Sequence, residues 1–356
     1  MFTTIDRYIG KTVLQMIFLC LTVLMLLTAL ITFIDKSRYI GTGDIDFVFL
    51  MWYVVLLMPN MLVMMFPVSV LLGTVIGLGM LAKSSELVIV QNMGKSRIDI
   101  VHSAGKMVIP LVLLVCGMSQ TVIPEAEQYA QNTFNSARSE GRLSRTGWGT
   151  WIREGDSFVF ITRVMSDGSI HQLSRYDFEG TKLTRYSTAK TGIYNASEGT
   201  WDIFDVKVFN YEDKRVLKQH DTMQKWALYI NPERLEVFNL RQGELNVIEL
   251  YDYIKYLDDN HIDSSRYRIS MYMLFLMPVI VIVMMLLGAS AVFGPLRSVA
   301  LSARALLGMA LGFSYYIANQ VLPTFIVSIG IPPIIGVLLP SIFFIGLAFY
   351  LLNRKV

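Results

Sequence analysis

Lys83-Ser84-Ser85-Glu86-Leu87-Val88-Ile89-Val90-Gln91-Asn92-Met93-Gly94-Lys95-Ser96-Arg97 is a short polar break between two long apolar runs. Upstream, Phe47 to Ala82 contains no charged residue; downstream, Met107 to Ile123 contains none. The chain leaves an apolar medium here and returns to it. Ser84 or Ser85 can cap a helix, and Glu86 falls in the first turn, where the helix dipole favours an anion. Gly94 can end the helix, so the spacing predicts two or three turns at a membrane surface, over about 84–94.

Working outward, Thr12 to Ile34 carries no charge and is long enough, at 1.5 Å per residue, to cross a hydrocarbon core of about 30 Å. It exceeds a signal-peptide h-region, and no Ala-x-Ala site follows, only Asp35-Lys36-Ser37-Arg38, so the helix is expected to be retained. The run from Phe47 to Ala82 is too long for one ordinary span and too short for two with a turn. Pro59 and Pro67, each lacking a backbone donor, predict a leading helix on the outer surface over about 46–58 and a crossing over about 60–82. A third span is expected from about Lys106 to Val122, with Pro124-Glu125-Ala126-Glu127 at its exit.

Composition agrees. The chain has 356 residues, 53% hydrophobic and 17% charged, and a mean hydropathy of +0.48, against about 25% charged in soluble domains. It reads as an integral membrane protein. The net charge of +3 is small and its cations are scattered, which excludes a nucleic-acid stripe. Cys20 and Cys116 lie in apolar runs without a CxxC and read as small hydrophobes.

From Pro124 to Arg268 the pattern changes to short alternating runs. These are Ser157 to Thr162, Ile170 to Leu173, Lys182 to Tyr186, Thr200 to Val208 and Met223 to Leu228, separated by turn sequences such as Glu179-Gly180. Their spacing suits an extracytoplasmic sandwich or jellyroll. Leu245 to Leu257 is amphipathic, and Asp263-Ser264-Ser265 can cap the next helix. Three further spans are expected, at about 269–293, about 305–322 with Gly308 and Gly312, and a last one ending at Arg354-Lys355. The basic clusters at the N-terminus, 83–106, 297–304 and 354–355 all fall on one side under the positive-inside rule. The expected fold is therefore an α-helical membrane protein with six transmembrane helices and an inserted all-β, jellyroll-like domain. Its units are 1–123, 124–265 and 266–356, with both termini inside.

Little here suggests catalysis. Gly77-Leu78-Gly79-Met80-Leu81-Ala82-Lys83-Ser84 imitates a phosphate loop but has Ala82 where glycine is needed, and it closes a helix instead of opening one. His102, His171, His220 and His261 lack metal-ligand spacing. The spans hold no Asp, Glu, Lys or His at depth, only Gln120, Asn319 and Gln320, so an ion-coupled mechanism has no groups to use. Energy for any transport must come from elsewhere, which leaves two readings of the polar break. It is an ordinary interfacial helix, or it is a coupling helix that inserts into a cytoplasmic ATPase with Glu86 as its charged anchor and Ser85, Leu87, Val90 and Gly94 completing the element. A second group, Asp35, Lys36 and Arg38 with Arg138, Arg142, Arg266 and Arg268, lies at the outer end of the first span and the edges of the β region. These are snorkelling anchors, or cations that pair with the phosphates of an anionic lipid whose chains occupy a Met-, Leu- and Phe-lined cavity.

Four motifs in order carry a resemblance over essentially the whole chain. They are Asp6-Arg7-Tyr8-Ile9-Gly10-Lys11, Leu78-Gly79-Met80-Leu81-Ala82 with Ser85-Glu86-Leu87-Val88, Phe293-Gly294-Pro295-Leu296-Arg297-Ser298, and Gly330-Ile331-Pro332-Pro333-Ile334-Ile335-Gly336. Together they resemble the LptF/LptG family, permease subunits of the Gram-negative lipopolysaccharide export ABC transporter. The resemblance implies an inner-membrane, multi-pass, non-catalytic subunit without a cofactor, its β-jellyroll periplasmic. Its partners would be an LptF-like paralogue, two LptB-like ATPases that bind the ATP, a single-span LptC-like protein and, through the assembly, an LptA-like bridge. It assigns the coupling role to Glu86 and a charged patch to Asp35 and Arg38. This sequence departs from the patch at Thr32 and Tyr39, where relatives can carry lysines, so phosphate pairing is expected to fall to Lys36 and Arg38. The first and fifth spans would gate the cavity against the partner. Two rival readings remain at this stage: a membrane-anchored periplasmic interaction or sensor protein, and a mechanotransmitting ABC subunit that passes no lipid.

Overall fold

The computed structural model describes residues 3–138, 150–165, 168–212, 215–228, 246–293 and 301–353. Among the described residues, helices flank one sheet in sequence: α1 (Thr4–Ser37), α2 (Phe47–Lys83), α3 (Glu86–Asn92), α4 (Arg97–Gln120) and α5 (Val122–Arg138) precede it. After the strands come α6 (Val247–Asp259), α7 (Ser265–Phe293), α8 (Leu301–Ser328) and α9 (Pro333–Asn353). Among the described residues, α1, α2, α4, α7 and α9 are long and apolar enough to cross a membrane. The fifth expected span, α8, is a helix of 28 residues, but Tyr315, Tyr316, Asn319 and Gln320 interrupt its apolar run.

The largest correction concerns α2. Instead of a surface helix and a separate crossing, one helix of 37 residues runs through Pro59 and Pro67. In an apolar medium neighbouring helices and local adjustments re-satisfy the carbonyls that proline frees, so neither residue acts as a stop. At 1.5 Å per residue α2 is about 55 Å long and outreaches a bilayer core. Its first turns bury Leu50, Tyr53, Val54 and Leu57 against Ala130 and Phe134 of α5.

Helix association in lipid depends on close packing, because lipid tails are as apolar as leucine. The α1–α2 contact meets this requirement with Gly73: a Cβ there would lie 2.5 Å from the Ile17 Cα. The backbones therefore touch, and Val13 and Ile17 are fully buried between them. The same core takes Phe66, Val70 and Leu78 of α2, Ile100 and Ala104 of α4, and Val281 and Met285 of α7. A second cluster joins α7, α8 and α9 through Met284, Leu287, Tyr315 and Phe344, with the Tyr315 hydroxyl and Ser341 Oγ 2.9 Å apart.

The strands are β1 (Thr150–Glu154), β2 (Ser157–Val164), β3 (Ile170–Glu179), β4 (Lys182–Asn195), β5 (Thr200–Glu212) and β6 (Arg215–Trp226). They form one antiparallel sheet in sequence order, a meander in which each strand pairs with its neighbour. The described strands contain no Greek-key crossing of the kind a jellyroll requires. One face buries Ile152, Val159, Ile161, Leu173, Trp201 and Ile203. The opposite face carries a cross-strand aromatic ladder, with Tyr176 and Tyr186 centroids 4.9 Å apart and Tyr186 and Phe209 5.8 Å apart. Within β5, Asp205 adopts a positive φ of 56°. Its carboxylate accepts from Lys190 and from His220 at 2.6 Å, which together hold it down at about 2.

β1 and the first half of β6 are strands that the alternation pattern does not reveal. Arg215 to His220 are exposed on both faces, so no period of two is written into them.

Candidate functional site

The polar break folds as α3, seven residues long. Its capping differs from the expectation: Ser85 occupies the N-cap with a left-handed φ of 62° and makes no side-chain cap. Ser84 Oγ donates to Glu86 Oε1 at 2.8 Å and also lies 3.2 Å from the Met80 carbonyl. At the other end Gly94 takes φ +89°, and its N–H donates to the Gln91 carbonyl at 3.0 Å. Glycine adopts this conformation without the Cβ penalty, which fixes a sharp stop after two turns.

α3 is seated by Leu87, 3% exposed, and by Val90, both packed on the main helical core. Ile89 and Met93, 60% and 67% exposed, project from its other side. Tyr8 on the first turns of α1 stands beside the Glu86 carboxylate, within reach of its charge. Close by, Asp6 is buried at 1% exposure, taking Ser103 Oγ at 2.6 Å and Lys106 Nζ at 2.8 Å from α4. Asp6 thus fastens the start of α1 to α4, the helix that follows α3. Tyr8, Ile89 and Met93 are absent from the sequence-based set. Ile89 and Met93 could have been found as an i, i+4 apolar pair opposite the Leu87–Val90 pair.

The far end of α1 gathers four of the seven expected rim residues. Arg38 pairs with Asp35 at 3.3 Å, both sides exposed. Lys36 Nζ lies 5.2 Å from the Phe134 ring, and Arg138 arrives from α5. Three cations surround one ring, that of Tyr39: Arg138 Cζ at 4.7 Å, Arg38 Cζ at 5.1 Å and Lys36 Nζ at 5.9 Å from its centroid. Asp35 is the one carboxylate paired within this group among the described residues. Tyr39 and Phe134 are the members that cation counting missed; an aromatic residue flanked by Lys36 and Arg38 was the available signal.

The other expected cations lie elsewhere. Arg268 bonds Asp258 at 2.6 Å and Ser264 Oγ at 3.0 Å, tying α7 to α6. Arg266 is exposed on the first turn of α7. Arg142 lies outside the described residues, as do Gly294 to Ser298 and Arg354-Lys355. Between the two ends of α1 a cavity of about 460 Å³ opens among α1, α2, α7 and α8. Leu24, Met64, Met65, Met284, Met309 and Phe313 line it. Unbranched, polarizable methionines let such a wall adapt to chains of varied shape. No cluster of three metal-ligating side chains occurs among the described residues.

Residues 7–354 match the family described as lipopolysaccharide export system permease LptF/LptG. The chain belongs to the LptF/LptG family. Its curated relatives include the lipopolysaccharide export system permease protein LptG of Escherichia coli strain K12, 36% identical over 356 residues and covering 99% of both chains. The LptG protein of Haemophilus influenzae strain Rd is 35% identical, with 100% of this chain and 99% of that one aligned. The family match thus includes α1, α3 and the cationic group together.

Proposed function

We propose that this LptF/LptG-family chain is the non-catalytic permease subunit of a lipopolysaccharide export ABC transporter of the inner membrane. It takes lipopolysaccharide from the outer leaflet and passes it to a periplasmic bridge. In this reading α8 is the fifth span and α9 the sixth, both termini are cytoplasmic and the sheet is part of a periplasmic, jellyroll-type unit. An LptF-like paralogue closes the cavity from the other side, α1 and α8 forming lateral gates. Two LptB-like ATPases bind the ATP beneath, with an LptC-like single-span protein beside the gate and an LptA-like bridge above.

The observation that carries the reading is the geometry of α1. One end lies near Glu86 and is locked to α4 through Asp6; the other end presents Lys36 and Arg38. A helix of 34 residues packed backbone-to-backbone on α2 moves as a rod. Displacement of α3 by ATPase closure therefore reaches the cationic end and the Met-lined cavity without any titratable group at depth. Glu86, Ser85, Leu87, Val90 and Gly94 form the input. Asp35, Lys36, Arg38 and Arg138 form the lipid-phosphate rim, with Arg142 assigned to it from sequence. Arg266 and Arg268 serve as anchors of α7.

Reversing both rim charges, Lys36→Glu with Arg38→Glu, is expected to lower photocrosslinking of lipopolysaccharide at the cavity mouth about tenfold or more. Each exposed charge-assisted phosphate contact contributes on the order of 1 kcal/mol, and reversal adds repulsion. Crosslinking at the wild-type level would reduce these residues to topology anchors. Mass spectrometry of the detergent-extracted complex, reporting subunits and lipid together, tests the assembly. A complex carrying ATPase but no lipid would favour a mechanotransmitter, and one without ATPase would overturn the transporter reading.

A further inference from the structure

We infer that Tyr39 is a positioning residue: its ring is a shared cation–π platform that aims Arg38 and Arg138 at a lipid phosphate. The inference rests on the transport reading above and assigns the residue that makes its rim selective. Lys36, Arg38 and Arg138 are three like charges with Asp35 as the carboxylate bonded among them. Left to themselves, exposed flexible cations would spread apart. Instead they lie at 5.9, 5.1 and 4.7 Å from one ring centroid, within the range where the negative face of an aromatic ring attracts a cation.

The ring is itself held. Tyr39 meets Phe134 edge-on at 5.6 Å and 84°, and Phe134, 3% exposed, packs on Tyr53 at 4.7 Å. The Asp44 N–H donates to the Ala137 carbonyl at 2.9 Å, which binds the loop after α1 to the end of α5 and brings Arg138 to the ring. A guanidinium held over a ring leaves in-plane N–H groups for an anion; in Arg38 one of them, on Nη2, is already given to Asp35. The groups that remain match two oxygens of a phosphate. The platform thus lowers the cost of ordering two arginines before the anion arrives, which is where affinity is gained by preorganisation. A neutral sugar gains nothing comparable, so the device selects the phosphorylated form of a lipid headgroup.

The test uses the complete transporter in nanodiscs, titrated with lipopolysaccharide before and after enzymatic removal of its phosphates. Tyr39→Ala is expected to weaken binding of the phosphorylated form about tenfold while binding of the dephosphorylated form stays within about twofold. Tyr39→Phe keeps the ring and is expected to match wild type on both. Unchanged binding by Tyr39→Ala, equal losses on both lipids, or a Tyr39→Phe variant as weak as Tyr39→Ala would each overturn the platform. A wild type that binds both lipids equally overturns the platform alone. A wild type that binds neither overturns the transport reading and the platform together.

Discussion

Replacing Glu86 with lysine is expected to abolish ATP-driven lipid release while leaving the chain folded. α3 has two turns and is seated by Leu87 and Val90. Its exposed side, Ile89 and Met93 with Glu86 at the first turn, is what a cytoplasmic partner can grip. Truncating one member of a buried interfacial charge pair costs about 2–5 kcal/mol, and reversal also introduces repulsion, so the loss should exceed about thirtyfold. Ser84 donates to this carboxylate and Tyr8 stands beside it. A lysine offers Ser84 no acceptor and loses the favourable interaction with the helix N-terminus. Glu86→Gln, which keeps the size and one acceptor, should lie between wild type and lysine. The measurement is lipid release per ATP hydrolysed in reconstituted complexes, alongside copurification of the ATPase. Wild-type coupling in Glu86→Lys would end the coupling-helix reading of α3.

Sequence reading found α3 because its charges interrupt apolar runs that are otherwise unbroken, a contrast that survives without any tertiary information. Lys36, Arg38 and Arg138 were legible for the same reason: cations at the end of a span must point somewhere polar. What holds them was not legible. Tyr39 read as a departure from a lysine pattern, whereas in the fold it is the ring on which the cations converge. Proline rules from soluble proteins split α2, although in lipid its neighbours tolerate Pro59 and Pro67. The strand pattern located the β region but not β1 or the exposed start of β6, because alternation exists only where one face is buried. The approach of Tyr8 to Glu86 and the link from Asp6 to Lys106 bring together positions far apart in sequence, and no local period records them.

The last of those links supports the second large effect: Lys106→Met is expected to destabilise the protein by about 3 kcal/mol. Asp6 has a side chain 2% exposed, while Lys106 retains 31%. The two partners are therefore not equivalent. Removing the lysine leaves a carboxylate out of water with Ser103 Oγ and the Thr3 N–H as donors. Those are two neutral hydrogen bonds where an ion pair stood, and breaking one side of a buried pair costs more than the pair itself contributes. Adding Asp6→Asn to Lys106→Met removes the stranded charge, and the amide can still accept from Ser103. The double variant should thus regain more than half of the lost stability, a reversal of sign that independent sites would not give. Thermal and denaturant unfolding in detergent would read it. If Lys106→Met matches wild type, or if Asp6→Asn deepens its defect, the pair does not hold α1 to α4. Because the double variant keeps the fold but exchanges a charged tether for a neutral one, its lipid release per ATP isolates the tether's contribution to transmission along α1. Release is expected to fall severalfold at near-normal stability, since α3 would then move against an α1 fastened to α4 only by a neutral hydrogen bond from Ser103 and by packing.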